Sequence, residues 1–137
     1  MNREADIVQA VLEHYPDAQA IYLFGSYGTE EEWPESDADI AVLLPPREAK
    51  KNGSLMMSAV RFVLESILKK DVDLINLRQV STVLQKEVVA ADHRVYAGDV
   101  FAAEEFEMLT LSNYQKLNEE RAGIVASALA DGRFHQV

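Results

Sequence analysis

The chain has no cysteine among its 137 residues, which excludes disulfides, thiolate metal sites and thiol nucleophiles. Its three histidines, His14, His93 and His135, stand far apart at none of the spacings that mark imidazole metal ligands. Aromatic residues make up 8%, with 6 glycines and 4 prolines, and no segment is low in complexity or repeats internally. No apolar run approaches the length that crosses a bilayer. The opening Met1-Asn2-Arg3-Glu4-Ala5-Asp6 lacks the basic-then-apolar layout of a signal peptide, so a cytoplasmic location away from membranes is expected. Positive charge is also short, with 13 Lys and Arg against 23 Asp and Glu, a net charge of −10. Nucleic-acid affinity rests on neutralising phosphates, so direct binding of DNA or RNA is not expected. A basic protein partner suits such a surface, although solubility alone also accounts for an acidic balance.

What is present is an apolar content of 48%, enough for one compact domain. Periodicity predicts a helix over 3–14 with Ile7, Val8, Val11 and Leu12 as its stripe, ended at Tyr15-Pro16-Asp17. A strand over 19–24 follows, then a polar loop over 27–36 containing Glu30-Glu31-Glu32 and Trp33-Pro34, then a strand over 38–44 stopped by Pro45-Pro46. Residues 47–53 read as a solvated linker, and Ser54 as the cap of a helix to Lys69 carrying Met56, Val60, Val63 and Ile67. Next come a strand over 72–77, a short helix over 82–91 and an edge strand over 94–97. A long helix over 100–130 closes the chain, weakened at Gly123, with Phe106, Leu109, Leu117 and Ile124 as a stripe for the sheet or a partner. This order predicts an α/β fold, a small mixed sheet of three or four strands covered by helices mainly on one side.

Chemistry concentrates where the first two strands meet. Gly25-Ser26 ends one strand, and Asp37-Ala38-Asp39 opens the next. A glycine-serine turn offers backbone N–H groups and a hydroxyl to phosphate oxygens. Carboxylates two residues apart on a strand point to one face, close enough to share divalent cations. A third carboxylate at the start of the following strand, Asp73, lies within reach, because adjacent strands are about 4.8 Å apart. Asp71 shares the strand period with Asp73; Asp73 is preferred because Val72 and Leu74 place it inside the strand. Three clustered carboxylates repel one another unless magnesium or a similar hard cation compensates them.

Gly25-Ser26, then Ser36-Asp37-Ala38-Asp39, then Val72-Asp73-Leu74 resembles the signature of the polymerase-β-like nucleotidyltransferase superfamily, over residues 5–98. The small size is similar to that of its minimal members, the MNT antitoxins paired with HEPN-family ribonuclease toxins. The resemblance implies a nucleotidyltransferase domain over 1–98, with 99–137 as a helical extension packed on it. It implies ATP as substrate, with Gly25, Ser26 and Tyr27 holding its phosphates. Asp37, Asp39 and Asp73 would be the catalytic residues and the ligands of two magnesium, or manganese, ions. It also implies transfer of AMP to a hydroxyl side chain, a tyrosine, of a cognate HEPN toxin. The alternatives are an antitoxin that masks its toxin by binding alone and a small-molecule nucleotidyltransferase of the antibiotic-modifying type. Where many small members carry an arginine after the Gly-Ser, this chain has Thr29, and Arg47, Lys50, Lys51 and Arg78 are the candidates to supply that charge.

Overall fold

The computed structural model describes residues 3–25 and 37–131, with 124–131 as helical backbone only. In chain order it contains α1 (Arg3–His14), β1 (Ala20–Phe24), β2 (Ala38–Leu43), α2 (Pro46–Asn52) and α3 (Ala59–Leu68). These are followed by β3 (Val72–Asn76), a 3₁₀ turn (Leu77–Gln79), α4 (Thr82–Ala90), β4 (Arg94–Ala97) and α5 (Val100–Asp131). The sheet is mixed, in the order β3-β2-β1-β4. β1 pairs antiparallel with both β2 and β4, while β2 and β3 run parallel. A parallel pair needs a crossover, and α2 and α3 supply it.

Every residue of β1 is buried, a continuous apolar run rather than an alternation, as expected of a strand covered on both faces. Ile21 and Leu23 pack with Ile40, Val42 and Leu74 against the buried sides of α1 and α3, including Ile7, Val11, Val60 and Leu64. Ala20, Tyr22 and Phe24 face the other way, with Ala41 and Leu43, onto Leu77, Val88, Ala103 and Phe106. The expectation of cover mainly on one side is thus corrected, because α4 and the first turns of α5 close the second face. Strand period reveals that both sides of β1 are apolar but not which helix lands on which side.

Two element boundaries also differ from expectation. The stretch read as a linker is α2, which starts at Pro46, whose fixed φ suits the first helical turn, and ends at Gly53 with φ 59°. Ala49 on its inner side is buried, and Asn52 Nδ2 donates to the Glu48 carbonyl. The helix expected from Ser54 begins only at Ala59, because Ser58 is the cap and its Oγ accepts from Arg61 N–H. Met56 therefore lies ahead of the helix. Among the described residues no helix is long and apolar enough to cross a membrane.

Candidate active site

β2 enters the sheet at Ala38 beside the C-terminal end of β1, so Asp39 stands opposite Phe24. On its other flank, the parallel register sets Asp39 directly opposite Asp73 of β3. Opposed residues share a face, so two half-buried carboxylates lie side by side at one end of the sheet, on the face covered by α4 and α5. Asp37 is exposed, immediately ahead of β2. Asp71 is exposed, ahead of β3, and takes part through its backbone carbonyl, which accepts from Ala38 N–H at 2.9 Å.

Gly25 lies against Asp39. Its φ of +67° belongs to the left-handed region that side chains disfavour. A Cβ there would overlap the Asp39 carboxylate, meeting Oδ2 and coming within 3.3 Å of Cγ. The glycine thus serves both the turn and the close approach of backbone to carboxylate. Ser26, Tyr27 and the segment 27–36, with Thr29, Trp33 and Ser36, lie outside the described residues.

Asp39 is pushed up from 3.8 to about 6, first by burial and then by the negative charges of Asp73 and Asp37. Among the described residues no three acidic or imidazole groups converge tightly enough to form a metal cage by themselves. The carboxylates are linked by mutual repulsion instead, and this uncompensated charge on an all-oxygen donor set fits a hard divalent cation. Without a cation the sign of the linkage is clear. A carboxyl raised in the folded state contributes stability that is complete below its unfolded value of 3.8 and is lost as pH rises through about 6. In EDTA, the chain should therefore lose stability relative to Asp39→Asn between pH 4.5 and 7.5, by about 1 kcal/mol after allowance for solvent screening. Urea unfolding of both proteins at the two pH values checks this; curves that keep a constant separation would refute it.

The start of β3 is braced from outside. Val72 N–H and C=O point away from β2; Glu65 Oε2 accepts from the former at 3.0 Å, and Arg61 Nε donates to the latter at 2.8 Å. Arg61 and Glu65 pair with each other at 3.2 Å, one turn apart on α3. Asp73 is therefore held from the next residue along. Across the same face, Tyr22 Oη donates to Glu107 Oε2 at 2.7 Å, and Arg94 Nη1 donates to the same oxygen at 2.8 Å. Burial and the Glu107 carboxylate push the Tyr22 hydroxyl up, keeping it a donor. Sequence reading missed all five of these supporting residues. The i,i+4 spacing of Arg61 and Glu65 was a visible signal; the Tyr22–Glu107 contact, 85 residues apart, left none.

The cations proposed to replace the missing arginine are in the wrong place. Arg47, Lys50 and Lys51 belong to α2, which follows the far end of β2. Arg78 donates through Nε to the Leu44 carbonyl and through Nη2 to Gln19 Oε1, with Phe106 beneath its guanidinium. Gln19 and Leu44 lie roughly 16 Å along the strands from Asp39, at about 3.3 Å per residue. Burial lowers Arg78 from its ordinary value, as befits a group that ties elements together. Arg78→Ala should therefore cost about 1 to 2 kcal/mol of stability in urea, because two part-buried acceptors lose their donor. ATP affinity should stay within about twofold; a large loss of affinity by calorimetry would return Arg78 to the site.

The polymerase beta nucleotidyltransferase family model matches residues 7–100. Over 128 residues the chain is 36% identical to a protein adenylyltransferase, MntA, of Shewanella oneidensis, covering 93% of this chain and 88% of that one. It superposes on a crystal structure of a toxin–antitoxin with AMP-PNP at TM-score 0.71 and 34% identity, covering 92% of this chain and 98% of that one. A structure of tri-AMPylated Shewanella oneidensis HEPN toxin in complex with MNT antitoxin matches at TM-score 0.66 and 34% identity, covering 93% and 96%. With the carboxylates of two strands in register under a glycine turn, and likeness along nearly its whole length, the chain belongs to the polymerase beta nucleotidyltransferase family.

Proposed function

We propose that this protein is an antitoxin that transfers AMP from ATP to a hydroxyl side chain, a tyrosine, of a cognate HEPN-family ribonuclease toxin, and so neutralises it. The observation that carries the reading is the end of the sheet where Gly25 covers Asp39 and Asp39 faces Asp73. Phosphates and an acceptor hydroxyl can meet there beside carboxylates. The likeness to a protein adenylyltransferase supports a protein acceptor, and the formal charge of −10 suits a partner that must itself carry cations to hold RNA.

Residue roles follow. Ser26 and the backbone over 25–27 hold the outer phosphates of ATP, with glycine at 25 because a side chain would keep the backbone off both the anion and Asp39. Asp37, Asp39 and Asp73 would hold magnesium or manganese, which when bound neutralises phosphate charge and polarises the reacting centre. Asp73, opposite Asp39 on the next strand, would help take up the proton of the acceptor hydroxyl. The acceptor oxygen bonds to the α-phosphorus as the bond to the β-phosphate bridge breaks, and pyrophosphate leaves. Rate acceleration rests mainly on alignment and charge compensation. In this reading residues 1–98 form the catalytic unit, the chain from 99 onward is an extension whose first turns pack on it, and the protein works in the cytoplasm.

The test is intact-mass spectrometry of the product of the neighbouring gene, after co-expression with the wild type or with Asp39→Asn. A gain of one or more AMP units with the wild type, absent with the variant, supports the reading. A tight complex with an unmodified partner would instead mean inhibition by masking.

A further inference from the structure

Helix α5 presents apolar residues on two sides. Ala103, Phe106 and Thr110 are buried on the inner side, so part of the expected stripe is core while Leu109 is not. On the outer side Phe101 and Met108, seven residues and thus two turns apart on one stripe, are 78% and 66% exposed. Leu109 and Leu111 flank them at 52% and 47%, and Glu104 and Glu105 sit between them, both exposed. Beyond Thr110 the helix is less covered: from 111 to 123 only Tyr114, with Lys86 of α4 over its ring, and Leu117 are half-buried. A helix apolar all round is normally covered all round. Large apolar side chains clustered on a surface mark a place where something docks.

We propose that the outer face of α5 is the docking surface for the acceptor protein, met by a partner helix whose apolar strip is flanked by Lys or Arg. This rests on the functional reading above and names how the partner is held. Three observations select that occupant. First, the apolar anchors are interleaved with two carboxylates, and a ribonuclease carries the cations that complement them. Second, a second copy of this chain would bring two acidic patches together, because a twofold interface pairs the same patch with itself. Third, α5 begins where Asp99 N–H donates to the Gln19 carbonyl and passes Tyr22 at Glu107. It therefore runs along β1 toward the end of the sheet that carries Asp39 and Asp73. A protein seated on α5 lies beside those carboxylates, so docking brings its hydroxyl near them.

The experiment uses the full chain and the purified partner protein, the product of the neighbouring gene. The variants are Phe101→Ala with Met108→Ala, and separately Glu104→Lys; all three positions are exposed and tolerate these residues in a helix. Calorimetry reads affinity for the partner and, as a control on the nucleotide site, affinity for AMP-PNP; intact mass reads the modification rate. The expected result is partner affinity about a hundredfold weaker for the double variant and about tenfold weaker for Glu104→Lys, with AMP-PNP affinity unchanged. Partner affinity and modification within twofold of wild type in both variants would overturn the docking surface while leaving the functional reading intact. A wild-type dimer that the double variant converts to monomer would overturn it in favour of a second copy. A wild-type chain that neither binds nor modifies the protein overturns the functional reading and the proposal with it.

Discussion

Asp39→Asn should lower AMP transfer by about a thousandfold or more, with the fold intact. Asparagine matches the shape of the side chain, so the packing beside Gly25 and the register with Phe24 and Asp73 are kept. It cannot carry the negative charge on which, in the proposed mechanism, cation binding and phosphate alignment rest. Asp39 is the one carboxylate that touches every part of the arrangement: the glycine turn, the facing strand and the charges of Asp37 and Asp73. The loss should appear in the maximal rate at saturating ATP and magnesium, followed as AMP-modified partner by mass spectrometry. Retention of more than a tenth of the wild-type rate would remove Asp39 from the chemistry. Unfolding at neutral pH in EDTA should at the same time show the variant no less stable than the wild type.

Gly25→Ala should lower both activity and stability, about a hundredfold in transfer rate and about 2 kcal/mol in unfolding free energy. Two costs coincide at one atom. The backbone at φ +67° is strained for any residue with a Cβ. The added methyl would also occupy space held by the Asp39 carboxylate, so either the turn or the carboxylate must move. Gly53 separates the two effects, because it has φ +59° with nothing within 4 Å of where its Cβ would stand. Gly53→Ala should therefore cost stability alone. Comparable transfer losses in the two variants would show that backbone strain, rather than collision with Asp39, is what matters.

Much of the fold was legible because its elements announce themselves locally. The first helix ends where Pro16 bars continuation, and the structure ends it at His14. The edge strand over Arg94–Ala97 is bounded by turn residues on both sides. Gly123 did not interrupt α5, since one glycine costs only about 1 kcal/mol in a long helix. α2 was misread because charge dominates Arg47-Glu48-Ala49-Lys50-Lys51, although one buried alanine and a proline at its start suffice for a short helix. At the site, Gly25, Asp37, Asp39 and Asp73 could be named from spacing, and strand period left Asp71 and Asp73 equivalent. The parallel register separates those two, with Asp73 opposite Asp39 and Asp71 ahead of the strand. The compensating cations could not be placed from sequence, because nothing local tells whether Arg78 lies at the same end of the sheet as Asp39 or at the other.

The brace on Val72 has a consequence for how the protein behaves in a crowded solution. β3 is an edge strand, and an edge with free N–H and C=O groups invites pairing with another chain and growth into aggregates. At Val72 both outward groups are already taken by Glu65 and Arg61 side chains. An incoming strand would meet a closed ion pair instead of open hydrogen-bonding positions. The two residues that steady Asp73 thus also stopper the sheet beside it, so the carboxylate end can stay open to substrates without inviting strand-on-strand polymerisation.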